Sequence, residues 1–336
     1  MLNLQQRIHL LTLLQKYITG SDPLWLAAKA RAAENNPWFI PPFIDNAIAC
    51  IAGRFLEPAA LHTWISAYAV PPQTSRPVHT GITMAGNIPL AGFHDFLCCF
   101  IWGHPQTIRL SSKDHVLLQH MVEKMISWNS LVAEYVAFAE TLRGCKAYIA
   151  TGSNNTARYF EYYFRNYPHI IRKNRTSVAI LKGDETTRDL EKLADDVYLY
   201  FGLGCRNVTK LFVPAGYDFL PLLAAFKKYD WLTENHKYKH NYDFNLAVLL
   251  LNRQSYMTNG SVILCDNTAV FSPISQLHYA FYTDPAEVYK SLNPDEIQCI
   301  TGTGKTALGT AQCPGLTDYA DGIDTMLFFQ QLTGEN

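Results

Sequence analysis

Leu2, Leu4, Ile8, Leu11 and Leu14 recur at near-helical spacing, with Gln5, Gln6 and Arg7 between them. This pattern predicts an amphipathic helix over 1–15. Helical patterning continues to about residue 70, with interruptions at Asp22-Pro23 and Pro41-Pro42, and the proline-rich stretch 71–77 reads as a loop or short linker. The period then changes. Residues 78–89 read as a strand ending in a tight turn, 90–102 as a buried helix, 107–110 as a strand, 115–125 as a helix and 147–150 as a short strand. The turn Gly152-Ser153-Asn154-Asn155 opens a helix carrying Arg158, Tyr159 and Glu161. A second alternation follows, with strands at 177–181, 208–213, 247–251 and 262–265 and helices at 187–201 and 219–228. Alternating strands and helices predict an α/β fold with doubly wound parallel sheets. The economical division is 1–172, 173–310 and a C-terminal segment, 311–336, packing back on the first domain.

The chain has 336 residues, 48% hydrophobic and 17% charged, with a formal net charge of −1. That length supports two cores, and the near-neutral balance without a basic run argues against a nucleic-acid surface. The apolar run 93–102 contains His94 and Asp95 and is too short to span a bilayer. With no secretory signal in view, the expectation is a cytoplasmic protein. Aromatic residues make up 13%, and Tyr159-Phe160-Glu161-Tyr162-Tyr163-Phe164 is expected to pack in a core. Cys50, Cys98, Cys99, Cys145, Cys265, Cys299 and Cys313 form no C-x-x-C pair and no zinc spacing. Most are expected to be reduced, buried apolar residues.

Cys205 is different. It lies in Phe201-Gly202-Leu203-Gly204-Cys205-Arg206-Asn207, where glycines open the backbone around a thiol beside an arginine. About fifty residues earlier, Thr151-Gly152-Ser153-Asn154-Asn155-Thr156 opens a helix whose free N–H groups suit a pyrophosphate. The ordered pair suggests thioester chemistry beside a dinucleotide.

These strings, with Gly86-Asn87-Ile88-Pro89-Leu90, resemble the Lux-type fatty acyl-CoA reductases of the aldehyde dehydrogenase superfamily, over nearly the whole chain. The resemblance implies an aldehyde dehydrogenase-like fold of two doubly wound α/β domains behind an N-terminal helical segment. It implies that the first domain binds a dinucleotide and the second carries the nucleophile, Cys205. Asn87 matches the asparagine that, with the cysteine's own N–H, stabilises the oxyanion. Gly86, Gly152, Ser153 and Asn154 fall in the cofactor turns, although Asn155 and Thr156 follow where a later glycine is usual. Arg109, Ser112 and Lys113 match the segment that holds the adenosine ribose, Arg109 standing for the usual lysine and Ser112 for the glutamate of NAD-preferring members. Two cations without that carboxylate favour NADPH, with NADH as the alternative. Phe271-Ser272-Pro273-Ile274 resembles the family's Phe-Gly-Pro string, and Ala269 replaces the ribose-binding glutamate before it.

The general-base glutamate of the oxidising enzymes is expected at residue 171, which is Ile171. Slow water attack on an acyl-enzyme follows, so the expected reaction is NADPH-dependent reduction of a fatty acyl thioester to an aldehyde through acyl-Cys205. His169 is a candidate base, with His236 and His240, in a stretch read as an exposed polar turn, behind it. The resemblance also implies an acyl-CoA or acyl-protein donor and an acyl-protein synthetase partner; a homo-oligomer is left open. The alternatives are an NAD(P)-dependent aldehyde dehydrogenase and a non-catalytic scaffold that holds an acyl group. Thr301-Gly302-Thr303-Gly304-Lys305-Thr306 resembles half a P-loop, but Cys299 stands where its first glycine belongs. It reads as a surface turn. The acidic string 318–325 supplies no argued ligand set, so no metal is expected.

Overall fold

The computed structural model describes residues 1–304 and 306–334; Lys305, inside the P-loop-like string, lies outside the described residues. The chain forms two compact units, one of residues 1–174 and 313–336, the other of residues 175–312.

The first unit begins with helices α1 (Leu4–Ile18), α2 (Pro23–Asn35), α3 (Pro41–Cys50) and α4 (Pro58–Ala67). Proline occupies the first turn of α2, α3 and α4, where its missing N–H costs nothing. The breaks in the sequence pattern are therefore helix starts. β1 (Thr80–Thr83), α5 (Phe93–Trp102), β2 (Gln106–Arg109), α6 (Val116–Trp128), β3 (Val136–Phe138), β4 (Ala147–Thr151), α7 (Asn154–Phe164) and β5 (His169–Arg172) follow. The sheet order is β3-β2-β1-β4-β5, and every pairing is parallel. Residues Phe96 to Ile101 of α5 are fully buried, which explains why that helix reads as a continuous apolar run.

The second unit contains β6 (Thr176–Ile180), α8 (Thr187–Tyr198), β7 (Val208–Pro214), α9 (Leu220–Ala225), α10 (His236–Leu251), β8 (Met257–Thr258), β9 (Ile263–Asp266), β10 (Gln276–Tyr282), α11 (Pro285–Ser291) and β11 (Ile297–Gly302). Its sheet runs β11-β6-β7-β10-β9-β8, parallel except for the short β8. Two expectations are corrected here. Residues 247–251 are the end of α10, not a strand, and the polar stretch around His236 and His240 is the start of that helix, capped by the Asn235 side chain. The Thr-Gly-Thr-Gly string runs off β11. A Cβ on Gly302 would meet the Ile180 carbonyl oxygen at 2.3 Å, and one on Gly304 the Ile300 oxygen at 2.1 Å. Close backbone packing thus accounts for both glycines.

The chain returns to the first unit at Cys313 and ends with α12 (Thr325–Thr333). There the Trp64 indole donates to the Tyr319 hydroxyl (2.9 Å), which donates to Tyr68 (2.8 Å), which donates to Asp324 (2.6 Å). The buried Arg172 guanidinium reaches Asp95 at 2.7 Å and Thr325 at 2.9 Å. Cys50 and Cys313 form a disulfide; the other six cysteines are not disulfide-bonded, in keeping with the expectation that most are reduced. No described helix is long and apolar enough to cross a membrane.

Candidate functional site

In the first unit the strand order reverses between β1 and β4. Ligands of open α/β sheets bind beyond the carboxyl ends of the strands at such a switch point. The carboxyl end of β1 leads to Gly86 and Asn87, that of β4 to Gly152 and Ser153, and that of β2 to Arg109, Ser112 and Lys113. The fold thus brings these sequence-predicted residues to one end of one sheet. Asn87, Arg109, Ser112 and Lys113 are exposed.

Gly86 is required by space: a Cβ there would lie 2.4 Å from the Ser111 hydroxyl. The β1 and β2 loops can therefore touch only through a glycine. Three residues beyond Asn87, Leu90 takes a left-handed conformation (φ 59°). Its N–H donates to the buried Asp114 carboxylate at 2.7 Å, and the Ala91 N–H donates to the same group. Burial nevertheless pushes the Asp114 pKa up to about 7. Asp114 anchors the turn that presents Asn87. Sequence reasoning missed it, and its only signal is an acid directly after a basic stretch at the start of an apolar helix.

Ser153 caps α7, its hydroxyl accepting the Thr156 N–H at 3.2 Å. The first-turn amides of α7 face the switch-point end with no partner inside the helix. A dinucleotide's phosphates fit that end, because the glycine turns admit close approach and the amides favour negative charge. Asn154 is engaged differently: its side-chain oxygen accepts the Asn174 N–H at 3.1 Å. Of the α7 residues only Ala157 is buried. Tyr159, Tyr162 and Tyr163 are each more than 60% exposed, which corrects the expectation that this aromatic run fills a core. Only its Phe160 and Phe164 edge packs, Phe164 stacking on Tyr148 at 4.0 Å.

His169 is not brought to this end. It begins β5, in register with Tyr148 near the start of β4, so it sits at the amino end of the sheet. Its Nδ1 faces the Tyr167 carbonyl at 2.8 Å. There it lines an open groove of about 480 Å³ with Glu161, Lys173, Leu327 and Phe328.

In the second unit Cys205 lies in the turn between α8 and β7 and is half-buried. The preceding backbone is strained: Tyr200 (φ 57°), Phe201 (φ 58°) and Gly202 (φ 75°) are successively left-handed. Two bulky residues in that region cost about 1–2 kcal/mol each, and such strain persists only where the surroundings impose it. Burial of both rings and the fully buried Asn207 impose it here. The Asn207 Oδ1 accepts from the Gly204 N–H (2.8 Å), and its Nδ2 donates towards the carbonyls of Asp196, Val197 and Leu199 at 3.3, 3.2 and 2.8 Å. The Cys205 carbonyl accepts from the Ser177 hydroxyl at 3.0 Å. The cavity beneath the turn, between Phe201, Tyr238 and Pro273, measures about 20 Å³. It holds no more than a water.

Phe271 is 63% exposed, on a loop held by its carbonyls. Thr209 donates to Val270 O at 2.7 Å, His278 Nδ1 to Ala269 O at 3.0 Å, and the Lys210 ammonium to Asn267 O. Burial lowers the Lys210 pKa to about 8. Among the described residues no cluster of His, Cys, Asp or Glu can hold a metal.

No family model and no curated protein matches the chain. Solved structures do match. Aldehyde dehydrogenase 21 from Physcomitrella patens, solved with its reaction product succinate, superposes with a TM-score of 0.65 at 10% identity, over 90% of this chain and 74% of that one. The Mycobacterium tuberculosis aldehyde dehydrogenase complexed with NAD+ gives 0.60 at 14% identity, over 86% and 70%. An NADP-dependent enzyme of E. coli gives 0.64 at 12%, over 93% and 76%. The chain therefore has the aldehyde dehydrogenase-like fold, with two parallel α/β sheets.

Proposed function

We propose that this chain is an NAD(P)-linked oxidoreductase that carries an acyl group as a thioester on Cys205, and that it reduces a fatty acyl thioester to an aldehyde. The observation that carries the reading is the strained turn from Tyr200 to Gly202, clamped by Asn207, which holds a half-exposed thiol rigidly in place. Cys205 as thiolate attacks the acyl carbonyl, and the donor thiolate leaves as the new thioester forms. The Asn87 side-chain amide and the Cys205 N–H are the donors assigned to the oxyanion. The turns at Gly86 and Gly152 and the amides of α7 would hold a nicotinamide cofactor, which would supply the hydride. Exposed Arg109 and Lys113 beside Ser112, without a carboxylate, favour the 2′-phosphate of NADPH. Ile171, half-buried on β5, offers no proton acceptor for water attack on the acyl-enzyme.

A second reading, NAD(P)-dependent aldehyde oxidation, is favoured by the kind of enzyme whose structures the chain resembles. One comparison separates the two. NADPH oxidation with a panel of acyl-CoA thioesters is expected in the native chain and is expected to fall by at least 10³-fold in Cys205→Ala. Aldehyde-dependent reduction of NAD(P)+ without any thioester-dependent oxidation overturns the reductase reading and establishes the second. Turnover that persists in Cys205→Ala overturns both.

A further inference from the structure

Six cysteines stand outside the disulfide, and four of them (Cys98, Cys99, Cys145 and Cys265) are buried. Burial raises all four thiols, Cys98 and Cys99 well above their ordinary range and Cys265 to about 11. Cys205 and Cys299, also outside the disulfide, are half-buried. One hydroxyl touches both residues. Ser177, on β6 and fully buried, contacts the Cys205 carbonyl at 3.0 Å on one side and the Cys299 sulfur at 3.1 Å on the other.

The hydroxyl serves three partner atoms. A serine has one proton and two acceptor lone pairs. Its proton goes to the Cys205 carbonyl, which can only accept. Its oxygen accepts the Cys299 backbone N–H at 3.2 Å, and the Cys299 sulfur lies against the same oxygen at 3.1 Å. Cys299, on edge strand β11, thus has its sulfur against the hydroxyl that holds the residue carrying the other thiol. With the Cys205 backbone held at that hydroxyl and by Asn207, the approach between the sulfurs is a rotation of the two side chains.

We infer that Cys299 is a resolving thiol for Cys205, and that together they form a reversible, peroxide-driven redox site. The assignment rests on Cys205 being the reactive thiolate. In the first step a hydroperoxide transfers its distal oxygen to the Cys205 sulfur, giving a sulfenic acid and releasing an alcohol or water. The Cys299 sulfur then attacks the Cys205 sulfur, the hydroxyl leaves with the Cys299 proton as water, and a disulfide forms. Two thiols lose two electrons and the peroxide gains them. The disulfide blocks the acyl site and protects Cys205 from irreversible oxidation to sulfinic acid; a thiol reductant restores both groups.

The test is non-reducing peptide mapping of the intact chain after stoichiometric hydrogen peroxide, beside Cys299→Ser and Cys205→Ser. A linked Cys205–Cys299 peptide is expected in the native chain, reversed by dithiothreitol and separate from the Cys50–Cys313 peptide. Cys299→Ser is expected to accumulate Cys205 sulfinic acid at least five-fold faster and to lose the recovery of turnover on reduction. Equal sulfinic acid in native and Cys299→Ser chains, with no linked peptide, overturns the inference. Because mapping needs no substrate, a linked peptide in a chain without thioester-dependent turnover leaves the redox pair standing and removes only the catalytic reading.

Discussion

Asp196 is a carboxyl without water around it. It is fully buried on α8, and its oxygens accept the N–H groups of Gly309 (2.7 Å) and Ala311 (3.0 Å), tying the end of the second unit to that helix. Desolvation outweighs those bonds and raises its pKa from 3.8 to about 7. Between these values the unfolded chain releases the proton and the folded chain keeps it. Stability therefore falls as pH rises from about 4 to about 7, by about 4 kcal/mol for this group. Asp196→Asn cannot ionise. The stability of the native chain relative to this variant is expected to decline between pH 4.5 and pH 7.5 by urea denaturation, and parallel curves would refute the assignment. Residue identity pointed to Cys205 and the glycine turns, because a thiol and the absence of a Cβ are chemistry a single letter carries, whereas Asn87 came from the family resemblance. The residues that hold them, Asn207, Ser177 and Asp114, were not legible. Each acts on backbone brought close only by folding, and an asparagine, serine or aspartate looks the same in an ordinary turn.

At the scale of elements, α10 shows how an apolar run misleads. Ala247-Val248-Leu249-Leu250-Leu251 fits a buried strand as well as a helix end. The deciding pattern lies upstream, where Tyr238, Tyr242, Asn245 and Leu249 recur at helical spacing on the buried face. In a strand Leu249 and Leu251 would share a face. Here Leu249 is 5% exposed and Leu251 83%. Leu249→Glu is therefore expected to destabilise the chain by about 3 kcal/mol or more, while Leu251→Glu should stay within about 0.5 kcal/mol. Equal effects in chemical denaturation would mean the helix is wrong. The short strands β3, β5 and β11 escaped sequence reading for a related reason. Each is completed by pairing to a neighbour far along the chain, and three to six residues carry too little periodicity to announce themselves.

The whole chain leaves its first unit after Asn174 and returns at Cys313, so the second unit is an insertion in the first. The Cys50–Cys313 disulfide closes that path across a separation of 263 residues. A bridge between α3 and the returning segment restricts the unfolded chain more than the folded one. Reduction by a phosphine is expected to lower stability by about 2–5 kcal/mol, and Cys50→Ser should abolish the effect. An unchanged melting curve on reduction would show that the C-terminal segment holds without the bridge.

By itself, the sequence determined the alternation of strands and helices, the α/β class, and the residue types able to do thiol and dinucleotide chemistry. All three are local: periodicity, glycine freedom and side-chain chemistry are written within a few residues of one another. Tertiary structure alone decided the strand order that places the β1 and β4 loops at one switch point. It set His169 at the opposite end of that sheet, exposed the α7 tyrosines, and joined Cys205 and Cys299 to one serine hydroxyl. Those depend on which strands pair and which faces are buried, free-energy choices made over the whole chain and encoded in no single stretch of it.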